Sequence, residues 1–270
     1  MDLNGIEEVV ERPDRGRIAA WRAGDAWMGG GTWLFSEPQP GLKRLLDLQG
    51  FGWAPITVAA DGVELSATCR IAELERWAAP PEWRASALVP LCCRALLGSF
   101  KVWNGATVGG NICLALPAGP MTALATALDA SCLVWGAAGE RACAVTELVV
   151  GPGRNALGPG ELLRALRVPE AALRRRAAFR QISLTPQGRS GALLIGTRDA
   201  AGTLRLTVTG ATVRPLLFTY PAPPARDRVL ADLAALPDET VFEDVHGRRA
   251  WRRVVMAHLA GEIIDELGDP

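Results

Sequence analysis

No excess charge of either sign is present in this chain of 270 residues, because Lys plus Arg and Asp plus Glu both total 29 and the formal net charge is +0. Nucleic-acid-binding proteins gather backbone phosphates with a broad basic field. This composition offers no such field, which argues against a nucleic-acid partner.

Long apolar runs are also missing. The run from Met121 to Val134 is interrupted by Asp129 and falls short of the roughly 20 residues that span a bilayer. The first residues include Asp2, Glu7 and Glu8 and lack the basic start and apolar stretch of a secretory signal. We therefore expect a soluble, cytoplasmic chain with no membrane span.

Metal ligands are sparse and scattered. The histidines are His246 and His258, and no CxxC pair occurs, whereas metal sites need thiolates or imidazoles at short spacing. We predict buried, reduced thiols at the six cysteines, which are Cys69, Cys92, Cys93, Cys113, Cys132 and Cys143. Two distant histidines also argue against a His-driven hydrolase. If electrons pass through this protein, an organic cofactor must carry them.

The composition and length are those of a globular protein with one large or two modest domains, since 49% of residues are hydrophobic and 21% charged. The first part mixes short strands and helices. Patterning predicts a helix over 82–100, an extended Gly-rich stretch over 101–117, a helix over 121–130 and a strand over 131–135. Residues 161–168 fit either a helix or a strand.

A charge run at Arg174–Arg176 indicates a boundary, and a different pattern follows it. Four short strands separated by turn residues predict a small antiparallel sheet over 179–183, 191–195, 204–209 and 212–218. Two amphipathic helices are predicted over 228–236 and 250–267. The apolar side of the second helix includes Val254 and Val255.

Two glycine loops are the strongest candidate for a ligand site. They read GGGT at Gly29–Thr32 and ATVGGN at Ala106–Asn111. Successive backbone amides without side chains in the way can converge on the phosphates of a nucleotide. Neither loop matches the GxGxxG or GxxxxGKS fingerprint, so the pattern indicates a different nucleotide-binding fold.

These loops and later motifs resemble the flavoprotein (medium) subunits of molybdenum hydroxylases, the family of carbon monoxide dehydrogenase and xanthine dehydrogenase. The AGGT element and the apolar residue after it are matched by Gly29, Gly30, Gly31, Thr32 and Leu34. The TIGGN element and its continuation are matched by Thr107, Val108, Gly109, Gly110, Asn111, Ile112, Ala115 and Pro117. Later elements are matched in order by Leu128, Asp129, Ala130, Gly139, Arg141, Leu157, Pro159, Glu161, Leu162, Leu163, Val168 and Pro169.

The resemblance implies an α+β fold in two domains. Residues 1–172 would form a two-lobed FAD-binding domain of the vanillyl-alcohol-oxidase type. Residues 173–270 would form the small α+β C-terminal domain of molybdenum hydroxylase flavoproteins, with an antiparallel sheet and helices.

The resemblance also implies how FAD is held. The first loop, Gly29 to Leu34 with Trp33 included, and the second, with Thr107, Gly109, Gly110 and Asn111, would wrap the pyrophosphate and ribityl chain. Leu163 would lie against the isoalloxazine ring. Arg180 stands where the family has a lysine near the flavin, and a cation there would stabilise negative charge on reduced flavin.

Three positions depart from the family pattern. Pro120 replaces the Asp after AxP, Trp103 replaces an Arg before the TIGGN element, and Trp33 replaces a polar residue of the first loop. Each lost anchor weakens FAD binding by roughly 1 to 3 kcal/mol if its partner goes unsatisfied. The tryptophans either stack on adenine or flavin or fill the core, and packing favours the core.

The implied function is electron transfer inside a larger complex. A molybdopterin large subunit would oxidise the substrate, and an iron-sulfur small subunit with two [2Fe-2S] clusters would pass electrons to FAD in this chain. NAD or another acceptor would receive them, and the assembly would be a dimer of heterotrimers.

Two alternatives remain open. The chain is a structural docking subunit if the three departures have abolished the flavin site. It is an independent flavoenzyme if it resembles instead the reductase of cell-wall precursor synthesis, which shares the FAD-binding fold. That enzyme needs its own substrate groups and proton donor, and no such cluster emerges from the sequence.

Overall fold

The computed structural model describes residues 3–268. The strands are β1 (Glu8–Val10), β2 (Asp25–Met28), β3 (Arg44–Asp47), β4 (Ile56–Ala59), β5 (Gly62–Ser66), β6 (Ser131–Gly136), β7 (Gly139–Ala144), β8 (Val149–Gly151), β9 (Arg154–Asn155), β10 (Leu162–Pro169), β11 (Arg176–Ile182), β12 (Ala192–Arg198), β13 (Leu204–Thr209) and β14 (Leu216–Tyr220). The α-helices are α1 (Gly16–Ala19), α2 (Ile71–Glu75), α3 (Leu88–Ala95), α4 (Phe100–Gly105), α5 (Val108–Cys113), α6 (Pro120–Ala127), α7 (Val145–Leu148), α8 (Glu170–Leu173), α9 (Arg226–Ala234) and α10 (Arg249–Gly268). Three short 3-10 turns complete the regular structure, at Leu48–Phe51, Arg84–Ala87 and Asp238–Thr240.

The N-terminal lobe is a three-stranded parallel sheet in the order β1-β3-β2. The central strand buries Leu45 and Leu46. Its Arg44 lies under the sheet edge, only 4% exposed, and pairs with the equally buried Asp25 of β2 at 2.5 Å. Two hydrogen bonds from one guanidinium to one carboxylate fix the register of β2 beside β3.

An aromatic cluster joins this lobe to the next one. Trp21, Trp27 and Phe51 of the N-terminal lobe meet Trp53 and Trp135, with Phe51 stacked on Trp53 at a centroid distance of 4.7 Å. Trp27 also donates through its indole nitrogen to the carbonyl of Gly160. Offset and edge-to-face aromatic pairs add to the free energy of apolar burial, so this cluster holds two lobes that share no sheet.

The second lobe is a five-stranded antiparallel sheet in the order β4-β5-β10-β6-β7, with helices packed on one face. Residues 161–168, which fit two structures by pattern, form the central strand β10. Its Leu163 and Leu166 are buried because the strand pairs with β5 on one side and β6 on the other. Pairing with two neighbouring strands therefore determines that this segment is a strand, which the hydrophobic periodicity alone did not decide.

The C-terminal part is the antiparallel sheet that patterning predicted, in the order β11-β12-β13-β14. Helices α9 and α10 cover one face and α6 packs against the other. Along β12, Leu193 and Ile195 join the core of the second lobe, whereas Ala192 and Leu194 join the core beneath α10. Because successive side chains of a strand point to opposite faces of the sheet, this one strand contributes side chains to both hydrophobic cores. The boundary between residues 172 and 173 stays a prediction.

Two sequence predictions are wrong. Residues 101–117 are helical rather than extended, because Thr107 caps α5 through its side chain and Gly109 lies where a Cβ would fall 2.5 Å from the Ala67 side chain. The glycines of this stretch therefore allow a helix, rather than a strand, to pack closely against the residues around Ala67. On α10, both Val254 and Val255 were predicted on the apolar side, but Val254 is 69% exposed while Val255 is buried. Consecutive residues of a helix point about 100° apart, so the two valines do not face the same core. The helix predicted over 82–100 is present in part, because a 3-10 turn at Arg84–Ala87 leads into α3 at Leu88–Ala95 and α4 begins only at Phe100.

No helix within residues 3–268 is both long and apolar enough to cross a bilayer.

Arg252 at the start of α10 is the most completely buried charged group, with 1% exposure. Its guanidinium donates to the carbonyls of Gly191 and Gly247 at 2.7 and 3.0 Å, to that of Gly210, and to Asp244. One side chain therefore ties α10 to the turns on either side of β12 and β13.

We expect Arg252→Met to lower the free energy of unfolding by about 3 to 5 kcal/mol, because it strands the Asp244 charge and several buried carbonyls. Urea unfolding followed by circular dichroism measures the change. The control is Arg189→Met, since Arg189 is exposed and should shift the midpoint little. Equal losses in both variants would contradict the role given to Arg252.

Candidate functional site

The two glycine loops meet in the structure. The first follows β2 and the second follows α4. A Cβ placed on Gly30 would fall 1.6 Å from the carbonyl oxygen of Gly105, and one on Gly29 would fall 2.8 Å from Oγ1 of Thr107. Only glycine permits this approach of backbone to backbone. Residues 29–34 and 107–111, both predicted as site residues, are therefore brought together.

The first loop is an open arc of unused donors. Within residues 3–268, the backbone amides of Gly30, Gly31, Thr32, Trp33 and Leu34 donate to no other group. Gly31 has φ +71°, a left-handed conformation that turns successive amides toward one side. Gly30, Thr32 and Trp33 are exposed, so an anion can reach the amides. We call residues 30–34 the amide arc.

The second loop is already hydrogen-bonded. The amides of Val108 and Gly109 donate to the carbonyls of Cys69 and Ala67, and those of Gly110 and Asn111 donate to the Thr107 side chain and carbonyl. The side-chain oxygen Oδ1 of Asn111 accepts from the backbone amide of Met121. What this loop can still offer are side-chain donors, the Thr107 hydroxyl hydrogen and the Asn111 amide nitrogen.

Trp33 contradicts the prediction that it fills the core, because its side chain is 39% exposed. Trp103 does pack against the core of the second lobe and donates to the carbonyl of Leu96 at 3.2 Å. Pro120 occupies the first turn of α6, where the missing amide hydrogen costs nothing. Two of the three departures are thus explained by packing or helix geometry, and Trp33 is not.

Leu163 and Arg180 lie in other parts of the molecule. Leu163 is 2% exposed inside the sheet, opposite Val134 of β6. Arg180 points to the face of β11 that α10 covers, where it pairs with Glu262 at 2.6 Å and Glu266 at 2.8 Å. Two carboxylates therefore already balance its charge. Contacts of either residue with a flavin stay predictions.

A cavity of about 540 Å³ opens between the end of α3 and the segment after β11. Arg94, Ala95 and Leu97 form one wall, and residues 181–188 form the other. This volume is in the range of pockets that hold small ligands. Helix α4, which begins at Phe100 and ends at Gly105, connects this wall along the chain to the contact with Gly30.

The thiols are free, as predicted, and four of the six are buried. Burial raises the pKa of Cys69, Cys93 and Cys113 to about 12, so these thiols stay protonated and unreactive at neutral pH. Within the described residues no cluster of His, Cys, Asp or Glu could hold a metal ion.

Two motif residues that carried the resemblance form one ion pair. Arg141 of β7 donates to both oxygens of Glu161, at 2.9 and 2.7 Å, and Glu161 also accepts from the amide of Gly158. The hydrogen bonds from Arg141 hold the pKa of Glu161 below its usual range. The pair fixes the loop that leads into β10.

We expect Glu161→Gln to lower the free energy of unfolding by about 0.5 to 1 kcal/mol at pH 7, because the pair is partly exposed. A carboxylate with a depressed pKa stabilises the fold above its unfolded pKa, near 4.3, and loses that effect as pH falls through the folded value. The difference from the wild type should therefore shrink below about pH 4. Unfolding curves from pH 7 to 3 test this, with the exposed Glu37→Gln as control.

Comparison with known proteins agrees with this geometry. Residues 23–171, more than half of the chain, match the family described as the FAD binding domain in molybdopterin dehydrogenase. A search of curated proteins finds no significant match.

Solved structures share the whole fold. Quinoline 2-oxidoreductase from Pseudomonas putida 86 superposes with a TM-score of 0.80 at 17% identity, covering 99% of this chain and 98% of that chain. Reconstituted CO dehydrogenase from Oligotropha carboxidovorans gives 0.82 at 18% identity, with 98% of each chain covered. Carbon monoxide dehydrogenase from Hydrogenophaga pseudoflava gives 0.81 at 18% identity and the same coverage. The α+β fold predicted from the sequence is confirmed, and by its match over residues 23–171 the chain belongs to the FAD-binding domains of molybdopterin dehydrogenases, an oxidoreductase component whose cofactor is FAD.

Proposed function

We propose that this chain is the electron-transfer subunit of a multi-subunit molybdenum hydroxylase. An iron-sulfur small subunit with two [2Fe-2S] clusters delivers electrons to the FAD, and NAD or another acceptor takes them away. FAD supplies the chemistry, because it accepts electrons singly and releases them as a pair. The chain itself binds, orients and shields the cofactor, which is why it needs no acid, base or nucleophile of its own.

The amide arc is the observation that carries this proposal. A pyrophosphate is an anion that accepts several hydrogen bonds. The five successive amides of residues 30–34 have no acceptor within the described residues, and Gly30, Thr32 and Trp33 are exposed. The second loop faces them across the contact between Gly30 and Gly105. Its Thr107 hydroxyl and Asn111 amide would complete the cradle from the opposite side.

The flavin head would lie in the cavity beside Leu97. Helix α4 connects that cavity to the contact between Gly30 and Gly105. Arg180 lies near the end of β11, just before the segment that forms the other wall. Because Glu262 and Glu266 already neutralise it, we expect weaker stabilisation of reduced flavin than a lone cation would give.

The proposed role in a molybdenum hydroxylase also implies the partner subunits. A molybdopterin large subunit would oxidise the substrate and so determine which compound is used. The proposed complex is a dimer of heterotrimers that acts in the cytoplasm.

A second candidate function is a docking subunit without flavin. It is favoured by the second loop, whose Val108, Gly109, Gly110 and Asn111 amides are all satisfied internally, and by Pro120, which removes a polar anchor. An independent flavoenzyme has no comparable support, since no acid-base cluster accompanies the loops.

The visible spectrum of the chain, purified with the partners that accompany it, distinguishes these functions. We expect flavin absorption and, after heat release and chromatography, about one FAD per chain. A colourless chain that retains iron-sulfur and molybdenum partners would establish the docking subunit. Turnover of a soluble substrate by the isolated chain would favour the independent enzyme.

Gly30→Ala should reduce flavin content to a small fraction of the wild-type value, because the new Cβ forces Gly105 and the amide arc apart. Gly41→Ala is the matched control in the same lobe, since a Cβ there meets nothing within 4 Å. Flavin per chain is measured after purification. Unchanged flavin content in Gly30→Ala would contradict the role of the close loop contact.

A further inference from the structure

Trp33 differs from every other tryptophan of the chain. Of nine tryptophans, all within residues 3–268, it alone is classed as exposed, and it belongs to none of the hydrophobic cores. It forms no ring pair, and its indole nitrogen donates to no group in the described part of the chain. Nothing in the protein accounts for a large apolar ring at this place.

Its position along the chain is as unusual as its exposure. Trp33 is the fourth residue of the amide arc, and its carbonyl accepts from the amide and the hydroxyl of Ser36 in a tight turn. The neighbouring aromatic residue, Phe35, is 45% exposed, but one side of its ring packs on the turn, because a Cβ on Gly31 would fall 2.8 Å from it. The Phe35 ring thus supports the turn, and the Trp33 ring is left free beside the exposed amides.

We propose that Trp33 stacks on the adenine of the bound dinucleotide and so replaces the polar anchor that the first loop lacks. This inference rests on the proposed function, which puts the pyrophosphate on the amide arc. The two rings of FAD leave the pyrophosphate in different directions. The flavin head is assigned to the cavity beyond α4, so adenine is the ring that remains near residue 33.

Stacking is a chemically sufficient substitute for a hydrogen bond here. Every base presents a π-face, and the loss of one aromatic partner weakens base binding by about tenfold or more. Indole and phenyl rings both stack, whereas a methyl group does not. A Phe at position 33 should therefore retain most of the affinity that an Ala loses.

Calorimetric titration of the full apo chain tests the proposal with FAD, ADP and FMN as separate ligands. ADP carries the adenine and pyrophosphate, and FMN carries the flavin, the ribityl chain and one phosphate but no adenine. We expect Trp33→Ala to weaken FAD and ADP about tenfold or more and to leave FMN unchanged, with Trp33→Phe within about threefold of the wild type. Leu217→Ala is the control, because Leu217 is an apolar residue of equal exposure, 38%, on β14.

Tryptophan fluorescence gives a second readout that does not depend on affinity. Binding of FAD should quench emission from the exposed indole in the wild type, and this part of the quenching should be missing in Trp33→Phe.

The outcomes separate this proposal from the one it rests on. Wild-type affinity of Trp33→Ala for ADP, with FAD still bound, would overturn the stacking and leave the flavoprotein intact. A loss confined to FMN would overturn the choice of adenine. Normal affinities with loss of a co-purifying partner would make Trp33 a protein contact instead. Failure of the wild-type chain to bind FAD would overturn both proposals.

Discussion

The contact between Gly30 and Gly105 is the constraint on which the proposed site depends. It joins two lobes that have separate sheets, and it does so by backbone rather than by side chains. With a Cβ only 1.6 Å from a carbonyl oxygen, no other residue type fits at position 30 without moving a lobe. The amides of the amide arc keep no acceptor among the described residues because this backbone lies against the second loop without forming strand hydrogen bonds with it.

The aromatic cluster stabilises the same junction from the other side. Phe51 packs against Trp27 on one side and against Trp53 and Trp135 on the other, and the Arg164 guanidinium lies 4.5 Å from the centre of the Trp53 ring. This arrangement lets a small parallel sheet, too small to be stable alone, take a fixed position beside a large one. Cofactor contacts that cross the junction would then require little further ordering, which favours tight binding.

Motif order revealed the family because each motif has a local physical cause. Gly30 and Gly109 have no room for a Cβ, and Arg141 and Glu161 pair directly. The antiparallel C-terminal sheet was predictable for a similar reason, since turn residues separate its strands. These features depend on short stretches of sequence, so they can be predicted from the sequence alone.

Other features depend on distant parts of the chain and were not predictable. The second glycine loop was expected to be extended because β-branched residues suit strands and glycine within a strand marks close backbone approach, yet Gly109 lies against Ala67, a contact between remote residues. Leu163 lies in a central strand whose two neighbours, β5 and β6, both come from earlier and separate parts of the chain. The exposure of Trp33 likewise follows from the turn that Phe35 supports, which composition does not disclose.

Strand β12 has a mechanical consequence. Because its side chains alternate between two cores, the hydrophobic interior of the second lobe is closed by residues that belong to the C-terminal sheet. Removing that sheet would bare the face of α6 that Leu193 and Ile195 now cover. The second lobe and the C-terminal part should consequently unfold as one cooperative unit. A fragment that ends before β11 should be poorly folded and prone to aggregation.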